Sequence, residues 1–156
     1  MAGMTADALL ARGRAFTEAR ILLTAAELDV FTLLAERARS AAEVTTALRA
    51  DLRGVTILLD ALCALELLTK HGERYSCPAE VAALLRADSP TTVRPMLLHN
   101  ASMWYRWSEL TGIVRGDEAA KTRAHSARGN AACQAFIGAM HVVNRETAAA
   151  AARAIQ

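Results

Sequence analysis

Hydrophobic positions recur along most of this chain with a helical period. Leu9, Phe16, Leu23 and Val30 stand seven residues apart, with Ala19, Ala26 and Leu34 beside them, which predicts a long amphipathic N-terminal helix. Ile21, Leu22 and Leu28 widen the stripe, so this helix carries apolar residues on more than one side and must be covered twice. Two arrangements satisfy the pattern: a central helix buried within one domain, or a helix with one side on its own domain and the other on a partner chain. Asp29 is placed to cap a short helix through Phe31, Leu33 and Leu34. Ser40-Ala41-Ala42-Glu43 reads as a capping box, in which each side chain satisfies the other's exposed amide, and it opens a helix through Val44 and Leu48. Asp51 is placed to cap the next helix, where Val55, Leu58, Leu59, Leu62, Leu65 and Leu68 follow an i, i+3, i+4 series.

The pattern then changes. Residues 69–76 are short polar arms around His71-Gly72, with Tyr75 as a β-favouring aromatic, which predicts a small hairpin with glycine in the turn. Pro78 suits the first turn of a helix carrying Val81, Leu84 and Leu85. This order of helices followed by a hairpin is that of a winged helix-turn-helix. Asp88-Ser89-Pro90 starts a second helical group, whose apolar side is Met96, Leu97, Met103, Trp104, Trp107, Leu110 and Val114, with Gly116 as its C-cap. Asp117 to Asn130 is polar with weak periodicity and is predicted to be a loop. A last helical stretch holds Phe136, Ile137, Met140 and Val143, and the alanine-rich tail from Ala148 to Ala154 favours helix. The expected fold class is therefore mainly α: a winged helix-turn-helix-like domain with a small β-hairpin wing, plus additional C-terminal helices. Residues 1–116 are assigned to that domain and 117–156 to a loop and linker helices.

Composition narrows the functions. At 156 residues, 53% hydrophobic and 22% charged, the chain can bury a core without metals or disulfides. A net charge of +2 gives no strong pull toward nucleic acid or anionic lipid. Three scattered cysteines do not form a disulfide framework, there is no leader-like start, and no apolar run reaches the ~18 residues of a membrane span. The expectation is a soluble, cytoplasmic protein.

A winged helix raises DNA reading as one hypothesis. The helix in the recognition position offers only Arg53 near its start, against Asp60 and Glu66, and the wing adds only Lys70, His71 and Arg74. That face is built to pack on something apolar, and nucleic acid is not expected as a partner. No two glycines fall in a G-x-G pattern, Cys63, His71 and Cys77 match no zinc spacing, and no nucleophile–base pairing stands out, so no catalytic, cofactor or metal residue is assigned. His99 and His141 lie near apolar stretches. Trp104 and Trp107, with Met103, Phe136 and Met140, either pack as ordinary core or line a pocket for a flat apolar ligand, which makes a small aromatic-ligand binding protein a further hypothesis.

Residues 20–31, Arg-Ile-Leu-Leu-Thr-Ala-Ala-Glu-Leu-Asp-Val-Phe, resemble the opening of the dimerisation domain of bacterial S-adenosylmethionine-dependent O-methyltransferases, relatives of the acetylserotonin, caffeate and polyketide enzymes. Ser40 to Val44, Leu58 to Leu62, Leu67-Leu68 and Tyr75-Ser76 resemble its next stretch, a winged helix used for packing. Trp107-Ser108-Glu109-Leu110 running to Gly116 resembles the W-x-x-L…G segment, and Phe136 to His141 the F-x-x-x-M segment. The resemblance implies a homodimer with Leu9, Phe16 and Leu23 at its interface. It also implies an acceptor-pocket wall from Trp104, Trp107, Phe136, Met140 and Met103, with polar contacts from His99, Asn100 and His141. In the family, the linker helix feeds a strand and a glycine-rich loop that bind S-adenosylmethionine, and the catalytic histidine follows later. This sequence stops at Ile155-Gln156, where that strand is expected, so the chain alone is expected to bind no methyl donor and to transfer no methyl group.

Overall fold

A computed structural model describes residues 3–126 and 129–154. Its chain divides into two compact units, the first ending at Pro78 and the second beginning at Ala79. This is a division by packing, whereas the division expected from the sequence at 116/117 is one by role.

In the first unit the N-terminal stripe lies on two helices, α1 (Ala6–Arg14) and α2 (Phe16–Glu27), rather than on one. Thr5 caps α1 by accepting from the Ala8 amide. At the joint, the Ala15 amide bonds the Arg12 carbonyl and the Thr17 hydroxyl donates to the Arg14 carbonyl at 2.8 Å, a side chain entering the helical ladder where the two helices part. The stripe also does not reach Leu34 on the same helix. Asp29 adopts φ 55°, ends the run, and starts α3 (Val30–Glu36). Its carboxylate accepts from the Thr32 hydroxyl at 2.7 Å and makes no side-chain cap to the α3 amides, which corrects the predicted cap.

The capping box forms as predicted. Ser40 Oγ accepts from the Glu43 amide, and Glu43 Oε2 accepts from the Ser40 amide at 2.7 Å, opening α4 (Ala41–Leu48). Asp51 accepts from the Gly54 amide at 2.7 Å and opens α5 (Leu52–Ala64). This helix stops short of its predicted end. Glu66 takes φ 60°, and the amides of Leu67 and Leu68 turn back to the Leu62 carbonyl, which buries Leu68 outside the helix. Left-handed residues other than glycine thus stand at three helix ends: Asp29 after α2, Arg49 after α4 and Glu66 after α5.

The hairpin is β2 (Thr69–His71) and β3 (Arg74–Ser76), with Gly72 at φ 59° in its turn. A strand that the hydrophobic pattern did not predict, β1 (Arg39–Ser40), pairs antiparallel with β3, giving the sheet order β1-β3-β2. Asp60 on α5 ties the wing down: its Oδ1 accepts from Lys70 Nζ at 2.7 Å and from the Tyr75 hydroxyl at 2.8 Å. Both donors hold the Asp60 carboxyl below its usual range. Tyr75, Phe31, Leu34, Leu59, Leu62, Val30 and Val44 are the large fully buried side chains.

Glu43 also pairs with Arg37 at 3.0 Å and Arg74 at 3.2 Å. The Ser40 amide first, then Arg37, lower its pKa from 4.5 to about 2. A depressed carboxylate contributes stability that is fully present above its unfolded value and is lost as pH falls through the folded one. The Glu43 contribution should therefore be intact above about pH 4.5 and drain away toward pH 2. Comparing Tm of the wild type and Glu43→Gln from pH 5 to 2.5 tests this: the wild type should fall more steeply, whereas parallel curves would show that Glu43 carries no such linkage.

The second unit holds α6 (Ala79–Leu85), α7 (Arg94–Ser108), α8 (Leu110–Val114), α9 (Glu118–Ser126) and α10 (Asn130–Ala154). Asp88-Ser89-Pro90 does not start a helix. The Ser89 and Thr91 hydroxyls instead donate to the Ala83 carbonyl at the end of α6, and α7 begins at Arg94 with Pro95 in its first turn. Gly116, at φ 80°, follows α8 as predicted. The predicted loop from 117 to 130 contains α9, started by Asp117 accepting from the Ala119 amide at 2.8 Å and buried through Ala120 and Ala124. Residues 127 and 128 of that stretch, and Ile155 and Gln156 at the end, lie outside the described residues. The two C-terminal helical stretches are one helix, α10, which packs along α7.

Candidate functional site

Two places in the fold present surfaces suited to binding, one in each unit. In the first unit α1 buries no residue, and Leu9 and Leu10 on it are 61% and 57% exposed. Phe16 opens α2 at 56% exposed and borders an open groove of about 390 Å³ between α2 and α5, with Ile21, Ile57 and Leu58 along it. Leu52 and Ile57 of α5 are likewise exposed. Phe16 and Ile57 thus present large apolar side chains on one groove, and apolar surface of this kind marks interaction sites when it is extensive. Leu23 is elsewhere: at 6% exposed it belongs to the chain's own core, because the side of α2 that carries it packs inward.

In the second unit a cavity of about 630 Å³ lies between α7 and α10. From α7 it takes His99, Ser102, Met103 and Arg106, which at i, i+3, i+4 and i+7 form one stripe. Gly129, Ala132, Cys133 and Phe136 line the other side, from the start of α10 onward. The rings of His99 and Phe136 meet at 5.4 Å with a 59° tilt. Among the described residues the buried His99 Nδ1 has no hydrogen-bond partner, a condition that usually costs about 1–3 kcal/mol per group. Pro95 and Gly138 set how closely the two helices approach, since a Cβ on Gly138 would stand 2.9 Å from Pro95 Cβ.

Of the residues singled out in the sequence, the structure gathers His99, Met103 and Phe136 on this cavity. Trp104 and Met140 are half-buried and do not line it; Trp107 is 62% exposed, and Asn100 and His141 are also exposed. Sequence reading passed over Ser102, Arg106 and Cys133. Counting helical turns from His99 would have found the first two. Tryptophan drew attention by size, but in α7 the stripe runs through smaller and charged residues.

The residues that face S-adenosylmethionine-type ligands in doubly wound folds sit on a glycine-rich loop after a parallel strand. The sheet formed by the described residues is the small antiparallel one, β1-β3-β2. Among them no helix is long and apolar enough to cross a membrane.

Known proteins share this architecture. The chain is 36% identical over 115 residues to the N,N-dimethyltransferase OxyT of Streptomyces rimosus, covering 73% of this chain and 33% of that protein. It is 33% identical over 136 residues to the tetracenomycin polyketide synthesis 8-O-methyl transferase TcmO of Streptomyces glaucescens, covering 83% and 40%. The chain therefore spans well under half the length of these curated relatives. Among solved structures, human N-acetylserotonin methyltransferase in complex with SAM aligns with a TM-score of 0.70 at 28% identity, over 92% of this chain and 47% of that one. Residues 10–90, from the bare first helix through the wing and beyond α6, match the family model of the O-methyltransferase dimerisation domain, and by that match this chain belongs to that family.

Proposed function

We propose that this chain is the homodimerisation and acceptor-pocket part of an S-adenosylmethionine-dependent O-methyltransferase. Membership of a dimerisation family implies self-association. The observation that carries the interface is α1, a helix with no buried residue and with Leu9 and Leu10 bare, continued by Phe16. A second copy would cover these side chains together with Leu52 and Ile57; Leu23 would support the face from beneath. Obligate interfaces of this kind bury on the order of 2,000 Å² or more. Light scattering across a dilution series near micromolar concentration should give a dimer mass, and Phe16→Glu, which places a charge in the patch, should give the monomer mass with an unchanged helical spectrum. A monomeric wild type would sink the interface.

The second unit would supply one wall of an acceptor site, through the cavity between α7 and α10. At about 630 Å³ it falls within the ~300–1,000 Å³ of ordinary small-molecule sites, and Met103 and Phe136 suit a flat apolar ligand. In this reading residues 1–116 serve pairing and residues 117–156 lead toward a catalytic domain. The methyl donor is held by other parts of a full enzyme, and the role of this chain's residues is to position the acceptor. Two features argue against nucleic acid as the partner: Lys70 is paired with Asp60, and Arg74 with Glu43, leaving the wing little free positive charge.

A further inference from the structure

Among the described residues, the cavity between α7 and α10 is lined by one arginine, and that arginine has no counter-ion. Arg106 lines it, and no aspartate or glutamate does. Several other arginines are met by carboxylates, among them Arg20 by Glu27, Arg39 by Glu36, Arg86 by Asp88 and Arg123 by Glu109, while described arginines without an ion pair, such as Arg49 and Arg53, lie on open surface away from this cavity. Among the described residues Arg106 makes no ion pair. It stands on the same stripe as His99 and Met103 and borders a volume lined by Met103 and Phe136. Placement in the last turn of α7 favours any cation through the helix dipole, but that accounts for the charge and not for a fork of donors beside an apolar cavity.

We infer that this cavity selects aromatic ligands bearing a carboxylate, with the ring against Met103 and Phe136 and the carboxylate on Arg106. The inference rests on the acceptor-site reading above and adds the ligand's charge class to it. Guanidinium matches carboxylate geometry with two parallel hydrogen bonds, which a neutral amide of the same shape cannot reproduce. Because Arg106 is exposed, the discrimination is moderate, about tenfold.

Isothermal titration of the whole chain with 2-naphthoate and with its neutral isostere 2-naphthamide tests the inference. The wild type should bind the carboxylate about tenfold more tightly. Arg106→Gln should abolish that preference, so that the two ligands bind alike, and Arg106→Lys should restore part of it. Met103→Trp, which fills the cavity, should remove binding of both. Equal binding of the two ligands by the wild type, or a preference that survives Arg106→Gln, overturns the inference while leaving the cavity as an acceptor site. No binding of either ligand, or binding that survives Met103→Trp, overturns the acceptor-site reading itself and the inference with it.

Discussion

Replacing Phe31 with alanine should cost the first unit about 3–5 kcal/mol, the usual range for deleting a fully buried aromatic side chain. Phe31 is 0% exposed, on an α3 of only seven residues that buries Val30, Phe31 and Leu34. So short a helix has little stability of its own and is held by what it buries. The core of this unit cannot easily close the void, because its other large side chains, Leu59, Leu62 and Tyr75 among them, are themselves buried and Tyr75 is tethered to Asp60. Against a typical total of about 5–15 kcal/mol, this loss leaves a marginal fold. Urea unfolding at one fixed protein concentration should show a large drop in midpoint with little change in slope. A loss below about 1 kcal/mol would mean that α3 is not part of the cooperative core.

The second large effect is expected at Gly138. A leucine there must place its Cβ 2.9 Å from Pro95 Cβ, and Pro95, fixed by its ring in the first turn of α7, cannot rotate away. Overpacking of this kind costs about 1–3 kcal/mol, while leaving glycine in a helix interior returns at most about 1. The clash wins, and α10 must move off α7. Tm should fall by about 2–4 °C for each kcal/mol lost. Both tryptophans of the chain are on α7, so their fluorescence should shift with the same substitution. A variant with unchanged or raised Tm and an unshifted spectrum would show that the close approach is not what seats α10.

Much of the first unit was legible because its signals are local. A serine and a glutamate three apart, an aspartate before an apolar series, and a glycine between two polar arms each specify a structure within a few residues. What escaped was decided by neighbours. The α5 series continued to Leu68 because Leu68 is indeed buried, yet it reaches the core from beyond a turn at Glu66, and burial alone does not distinguish the two routes. Helix α9 was missed because its buried positions are alanines, Ala120 and Ala124, whose contribution to a hydrophobic pattern is small. A Cβ on Gly112 would come within 2.6 Å of Ala120 Cβ, so the close contact that seats α9 depends on the absence of side chain, which leaves no periodic trace. The cavity was half legible for a similar reason. Aromatic and methionine residues advertise themselves, whereas Arg106 reads as surface until the helix that carries it is set beside α10.

The left-handed turns at Asp29, Arg49 and Glu66 have a consequence for how the sequence can drift. Each carries a side chain in a conformation that costs roughly 1 kcal/mol or more for a residue other than glycine, so the surrounding packing, and not the residue, dictates the bend. Glycine fits these sites at no steric loss and asparagine at a reduced one, while valine, isoleucine and threonine are disfavoured by their branched Cβ. The helix lengths of this unit are thus heritable without a fixed punctuation mark, and related chains with different letters at these three positions can keep the same turns.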